Sequence, residues 1–302
     1  MRARGGGGPA GGAAPGRPGG GSGGGGGGPA LGAGGRLRWA LGALGALGAL
    51  GASGAVAGGG PRRVDLGGAA GGGWTVESPG NSSLDALPAS VPGQVHLDLL
   101  RAGVLPLDLY AGFEDWGQAW VGQSAWTYRR SFDHPGCPAE AATCGATLEF
   151  DGVDTLATVS LNGQPVLECS NQFRRYSVRV DGMLRAGSES NNVEVAIRSP
   201  FVEAEALHRA YPVNTMRLEH PDYWPHITHP QHVRKDQSNF GWDWGPAAVT
   251  SGIWRPVRLV TFARARLGRV SAHVSGGGTL RSLSRCTFGP SLSGSRERDS
   301  CA

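Results

Sequence analysis

From Trp74 to Phe262 apolar and polar residues alternate in short runs separated by glycine, proline and asparagine. WTYRRSF from Trp126, ATLEF from Ala146, TLATVSLN from Thr155, NNVEVAIRS from Asn191 and IWRPVRLVTF from Ile253 are rich in β-branched and aromatic residues. Their composition and period of two predict strands. Asn162-Gly163, between TVSL and QPVLE, predicts a two-residue hairpin, because both residues tolerate positive φ. Helix is expected only at VHLDLLRAG near Val95 and AEALHRA near Ala204. Many short strands and little helix predict an all-β sandwich over residues 74–274, about 200 residues and enough for one core.

The flanks have no such pattern. Residues 1–35 are almost all Gly, Ala, Pro and Arg, with too little apolar surface to offset the entropy of ordering, so they are expected to be disordered. Residues 36–57 have the parts of a secretory signal peptide. Arg36 and Arg38 precede the apolar run WALGALGALGAL, and small residues follow at Ala55-Val56-Ala57. That run is too short and too glycine-rich to span a bilayer. Residues 275–302 are serine-rich and lack alternation, and are expected to form a second disordered tail.

Locating the charge changes its meaning. The net charge of +4 comes from the flanks: residues 1–60 carry five Arg and no acid, and residues 275–302 carry four Arg against two acids. Residues 61–274 hold 18 Arg and Lys235 against 22 acids, a sum of −3, so no cationic surface for nucleic acid is expected. Lys235 is the sole lysine beside 27 arginines, which reads as a coding bias. Entry into the secretory pathway would permit disulfides, and Cys137 and Cys144 flank a short polar turn that could be bridged. No Cys/His spacing suggests zinc. Asn81-Ser82-Ser83 is a glycosylation sequon.

The candidate chemistry lies in the irregular stretch from Phe201 to Ser251. It holds Tyr211, Tyr223, Trp224, Trp242 and Trp244 with Arg234, Asp236 and Asp243. A long loop inside a compact domain is usually functional. Aromatic faces beside a carboxylate suit a sugar, whose C–H face packs on an indole while its hydroxyls bond to the acid. The same residues also suit a plug, with the tryptophans capping the sandwich and Asp243 bonding backbone amides. Glu149, Asp151 and Asp154 sit at strand ends, where adjacent residues alternate between faces, and are expected to be structural. His226, His229 and His232 recur every three residues, but Pro225 and Pro230 break any helix that would align them on a metal. The polyglycine runs lack the Lys-Ser/Thr of a phosphate loop, and GxSxG serine motifs are absent. No metal or cofactor is expected.

The run VRKDQSNFGWDWGP, followed by SGIWRPVRL, resembles the N-terminal domain of the β-mannosidases of glycoside hydrolase family two. ASVPGQVHLDLLRAGV, WTYRRSF, LEFDGVDTLATVSLNG and NQFRRYSVRV agree in order, so the resemblance covers about Trp74 to Val274. It implies a galactose-binding-like jelly-roll β-sandwich that precedes an immunoglobulin-like domain and a (β/α)₈ barrel. The barrel would supply two glutamates about 5 Å apart for a retaining exo-glycosidase acting on β-mannosides at glycan ends. This chain would lack those catalytic residues and hence turnover. The resemblance assigns Asp243 to the hydroxyls of the terminal mannose and Trp242 to the subsite wall, with Asn239, Trp244, Gly245 and Pro246 shaping the loop. It also implies a lysosomal glycoprotein reached through the secretory pathway. A stand-alone carbohydrate-binding module for mannosides is the alternative from another class.

Overall fold

The structure is a computed structural model that describes residues 60–288, apart from 70–71, 107, 109–110, 113, 138–143, 186–188, 214–228, 242–244, 264 and 275–279. The expected disorder of residues 1–35 and the expected signal peptide at 36–57 lie outside the described residues.

The chain enters with β1 (Arg62–Asp65), β2 (Trp74–Glu77) and β3 (Leu87–Ala89), then the helices α1 (Val95–Arg101), α2 (Glu114–Gly117) and α3 (Ala119–Gln123). The sandwich continues with β4 (Trp126–Phe132), β5 (Gly145–Phe150), β6 (Ala157–Leu161), β7 (Gln164–Cys169), β8 (Tyr176–Arg179) and β9 (Asn191–Ile197). Next come α4 (Pro200–Ala210) and two 3-10 turns, Pro230–His232 and Gln237–Phe240. The last strands are β10 (Val257–Phe262), β11 (Ala265–Val274) and β12 (Leu280–Phe288).

One sheet has the order β1-β10-β5-β8 and the other β3-β2-β4-β9-β6-β7, and all their pairings are antiparallel. Alternation explains how the two sheets share a core. In β9, Val193, Val195 and Ile197 are buried while Glu194 and Ala196 between them are only partly covered. Leu148 and Phe150 of β5 and Leu259 of β10 join Trp126 and Tyr128 of β4 and Val159 of β6 in one apolar cluster, so the inner faces of both sheets meet. Each fully buried side chain of this size stabilises the fold by about 1.5 to 3 kcal/mol. The buried indoles keep their N–H groups satisfied: Trp126 Nε1 donates to Val121 O at 2.8 Å and Trp74 Nε1 to Leu66 O. The jelly-roll sandwich is therefore the observed fold.

The five strands expected from alternation are present, although in IWRPVRLVTF only the part after Pro256 is strand. Proline has no N–H to give a ladder. The Asn162-Gly163 turn joins β6 to β7 with φ of 52° and 81°. Asn162 Nδ2 also donates to Met183 O at 2.8 Å, and its Oδ1 accepts from Asn192 N at 2.9 Å, which fixes the turn against β9. Three expectations need correction. Helix is not confined to the two expected stretches, since α2 (Glu114–Gly117) and α3 (Ala119–Gln123) also form. The tail from residue 275 is not wholly irregular, because Leu280–Phe288 pairs with Ala265–Val274 as a two-stranded antiparallel ribbon. Such pairing satisfies backbone groups whatever the side-chain pattern, so composition alone does not exclude it. The sheet also begins before Trp74, since β1 pairs with β10 from Arg62 to Asp65.

Candidate functional site

The stretch from Phe201 to Ser251 is more ordered than its composition suggests. Ser199 caps α4 by accepting from Val202 N, and Pro200 occupies the first turn, where its missing N–H costs nothing. Phe201 then packs edge-on against Phe240, with ring centroids 6.4 Å apart, and both bury Val249. Leu156, Ala204 and Val233 form a second small cluster beneath the same helix.

Trp242, Asp243 and Trp244 lie outside the described residues; the stem on either side of them is described. Gly241 has φ +85°, and a Cβ there would stand 2.9 Å from the Cβ of Ala247. The two ends of the loop therefore touch, and the stem requires glycine both for its conformation and for this close approach. Gly245 and Pro246 are half-buried on the returning side. Asn239, half-buried on the outgoing side, donates from Nδ2 to Thr250 Oγ1 at 3.1 Å and so ties the two sides together.

That hydroxyl belongs to a buried polar cluster. Lys235 Nζ donates to Asp154 Oδ2 at 2.5 Å and to Thr250 Oγ1 at 2.8 Å. Thr250 Oγ1 donates in turn to Asp154 Oδ2 at 2.7 Å, so its one proton and both lone pairs are used. Asp154 Oδ1 accepts from the Thr155 hydroxyl. The backbone of Asp154 exchanges both hydrogen bonds with Gly252, at 2.8 and 3.0 Å. Burial pulls the Lys235 ammonium below its ordinary pKa, and the Asp154 carboxylate opposes that shift. A second hub lies alongside. Gln172 N donates to Arg234 O at 3.1 Å, its Oε1 accepts from Asp236 N at 2.7 Å, and its carbonyl accepts from Trp254 Nε1 at 3.1 Å.

Next to this cluster, α1 carries two titratable groups into the interior. His96 is held at about 4, first by burial and then by the Lys235 charge. Asp98 accepts from Ser90 N at 3.0 Å and Arg101 Nη1 at 2.8 Å, yet burial outweighs both and pushes it up to about 6.

The remaining candidates resolve simply. Glu149 pairs with Arg266, and Asp151 with Arg258 and, at 3.5 Å, with Arg175. With Asp154 on Lys235, all three strand-end carboxylates are held in ion pairs. His226 lies outside the described residues. His229 stacks on His208 with ring centroids 3.5 Å apart, and His208 Nδ1 is 3.3 Å from His232 Nε2. Among the described residues no group of three or more His, Cys, Asp or Glu is arranged to hold a metal ion. Cys137 and Cys144 form a disulfide, with Cα atoms 5.4 Å apart. Asn81 is exposed and caps a short 3-10 turn, accepting from Ser83 N at 3.2 Å. Among the described residues no helix is long and apolar enough to cross a membrane.

Sequence reasoning overlooked Lys235 as a structural element. The available signal was its singularity: a chain with 27 arginines keeps lysine where a compact ammonium is buried. Arginine's larger planar fork is suited to bidentate pairs, whereas lysine acts as a point charge.

A two-sheet jelly roll with a pinned, tryptophan-bearing loop defines a galactose-binding-like domain. Residues 74–255 match the family described as glycosyl hydrolase 2 galactose-binding domain-like, and the chain belongs to that family. It is 36% identical over 197 residues to β-mannosidase B of Emericella nidulans, covering 63% of this chain and 22% of that protein. It is 35% identical over 201 residues to the β-mannosidase of Capra hircus, covering 63% of this chain and 21% of that protein. The crystal structure of the β-D-mannosidase from Dictyoglomus thermophilum superposes with a TM-score of 0.63 at 30% identity, over 75% of this chain and 26% of that one. The chain thus spans about a fifth of the length of the curated relatives it matches.

Proposed function

We propose that this chain is the sugar-binding domain of a β-mannosidase, an exo-glycosidase that removes terminal β-D-mannose during glycan catabolism. The observation that carries this reading is the match over residues 74–255 together with the β-mannosidase relatives of fungi and mammals. Asp243 would bond the hydroxyls of the terminal mannose, and Trp242 would wall the subsite. Asn239, Trp244, Gly245 and Pro246 would shape the turn. The pinned stem supports these roles, because a sugar site needs its polar groups held in place before the ligand arrives.

The domain organisation proposed is a jelly roll whose two sheets run from Arg62 to Phe262, preceded by a disordered segment and a signal peptide, with an immunoglobulin-like domain and a barrel as its partners in the longer enzyme. Routing through the secretory pathway to the lysosome accords with the Asn81 sequon and the Cys137–Cys144 bridge.

The 302 residues alone are proposed to bind without turnover. Retaining hydrolysis needs two free carboxylates about 5 Å apart across the bond, and Glu149, Asp151 and Asp154 are each neutralised by a basic partner. The purified chain is incubated with an aryl β-mannoside: no release of the aryl group is expected. Turnover that survives removal of host enzyme contradicts that part of the reading.

A further inference from the structure

Three imidazoles meet where the C-terminal half of α4 lies on the Pro230–His232 turn. His208 and His229 stack almost parallel, with ring centroids 3.5 Å apart and planes inclined by 10°. His208 Nδ1 lies 3.3 Å from His232 Nε2, so one of these nitrogens donates and the other accepts without a proton of its own. Imidazole is the side chain whose ordinary pKa falls between pH 5 and 8. Neutral rings satisfy both the stack and the hydrogen bond. Two protonated rings in the stack put like charges in contact, and protonation of both His208 and His232 abolishes the hydrogen bond.

The charges around the cluster do not offset a second proton. Glu205 Oε2 lies 3.6 Å from His229 Nε2, but the same carboxylate pairs with Arg209 at 3.1 Å. Glu203 of α4 pairs with Arg198, which also reaches Glu168. The helix α3, which contacts α4 as well, has the sequence AWVGQ and no ionisable side chain. After the turn Arg234 is exposed, Lys235 is paired with Asp154, and Asp236 accepts from Ser238 N.

The junction also has a way to open. His229 has a left-handed backbone, φ 63° and ψ 40°, which is strained for a residue with a Cβ and relaxes on release. The apolar cluster beneath α4 is small, consisting of Leu156, Ala204 and Val233. The N-terminal end of α4 is anchored, since Ser199 Oγ donates to Gly122 O at 3.0 Å and Phe201 packs on Phe240. The turn is anchored too, because Gln237 Nε2 donates to Pro230 O at 3.2 Å and to Val233 O at 3.3 Å.

We propose that the His208–His229–His232 junction is a pH latch, which holds the C-terminal half of α4 on the turn at neutral pH and releases it on acidification. Charging is disfavoured in the closed state, so the contact is present above the imidazole range and is lost as the pH falls through it. The latch does not depend on the sugar-binding reading.

Amide exchange of the full chain, corrected for intrinsic rates, is measured at pH 7.5 and 5.0 in α4 and, as an internal control, in β9. The wild type is compared with His208→Phe, which keeps a ring on His229 and takes no proton. Between pH 7.5 and 5.0 the wild type should lose roughly tenfold or more of its protection in α4 beyond Glu205, and under about threefold in β9. In His208→Phe the α4 amides should change by under about threefold. Unchanged α4 protection in the wild type overturns the latch. An equal loss in His208→Phe, or an equal loss in β9, overturns it as well. If His208→Phe does not fold, His229→Asn, which tolerates the left-handed backbone, takes its place with the same outcomes.

Discussion

Lys235 Nζ donates to Asp154 Oδ2 at 2.5 Å across 81 residues of sequence, with both side chains buried. The backbone of Asp154 is bonded both ways to Gly252, and a Cβ on Gly252 would meet Gly93 O at 2.6 Å. The pair therefore sits where three connections are pressed together at the edge of the sandwich. Removing either charge leaves the other buried with hydroxyl partners but no counter-charge: Thr250 for Lys235, Thr250 and Thr155 for Asp154.

Lys235→Ala should accordingly cost about 3 to 5 kcal/mol of stability, whereas Arg179→Ala should cost under about 1 kcal/mol. Arg179 pairs with Asp181 at 2.9 Å but is exposed, so solvent already screens that pair. Urea midpoints of the two variants measure the contrast. Equal midpoints would mean that Asp154 finds another partner or water once Lys235 is gone.

The pH dependence carries opposite signs from two neighbours on α1. His96 falls to about 4 from an ordinary 6.5, so its contribution is present above pH 6.5 and is lost as the pH drops through about 4. Asp98 rises to about 6 from 3.8, so its contribution is present below pH 3.8 and is lost as the pH climbs through about 6. Between about pH 4 and 6 the two oppose each other. Asp98→Asn should leave a protein whose melting temperature falls on acidification from pH 6.5 to 4.5. His96→Gln should leave one whose melting temperature rises over the same interval. Thermal melts at both pH values test the signs.

Expression in animal cells examines the secretory reading. The mature chain should begin near Gly58, carry a glycan on Asn81 and yield a Cys137–Cys144 linked peptide in a non-reduced digest. Purified protein that retains Met1 and shows no shift with endoglycosidase contradicts it.

The strands that were legible in the sequence are those with one face in the core. NNVEVAIRS shows its inward residues because Val193, Val195 and Ile197 are buried, and Asn162-Gly163 shows its turn because both residues need positive φ. Strands at or beyond the sheet edges were hidden for a physical reason. RRVD is exposed along most of its length, Pro88 interrupts LPA, and β12 exists through pairing with β11. Their stability comes from hydrogen bonds to a partner strand, which leaves no periodic mark on the side chains. Of the candidate site, only the residue types were legible, in the aromatic and acidic content of WDWGP; their part in sugar binding is the proposal, since Trp242, Asp243 and Trp244 lie outside the described residues. The site's scaffold was not, since nothing local to VRKDQ indicates that the Lys235 charge is answered by Asp154.

The central claim is that the loop of this domain holds a mannoside through Asp243. An NMR titration of the wild-type chain and Asp243→Asn with methyl β-D-mannopyranoside tests it most directly. Loss of one charged hydrogen bond should cost about 1.5 to 3 kcal/mol, roughly ten- to a hundredfold in affinity, with the melting temperature unchanged. Saturable binding by the wild type that weakens by that amount in Asp243→Asn is the predicted result. Absence of binding, or equal binding by both proteins, would contradict it and make NFGWDWGP a structural plug of the sandwich.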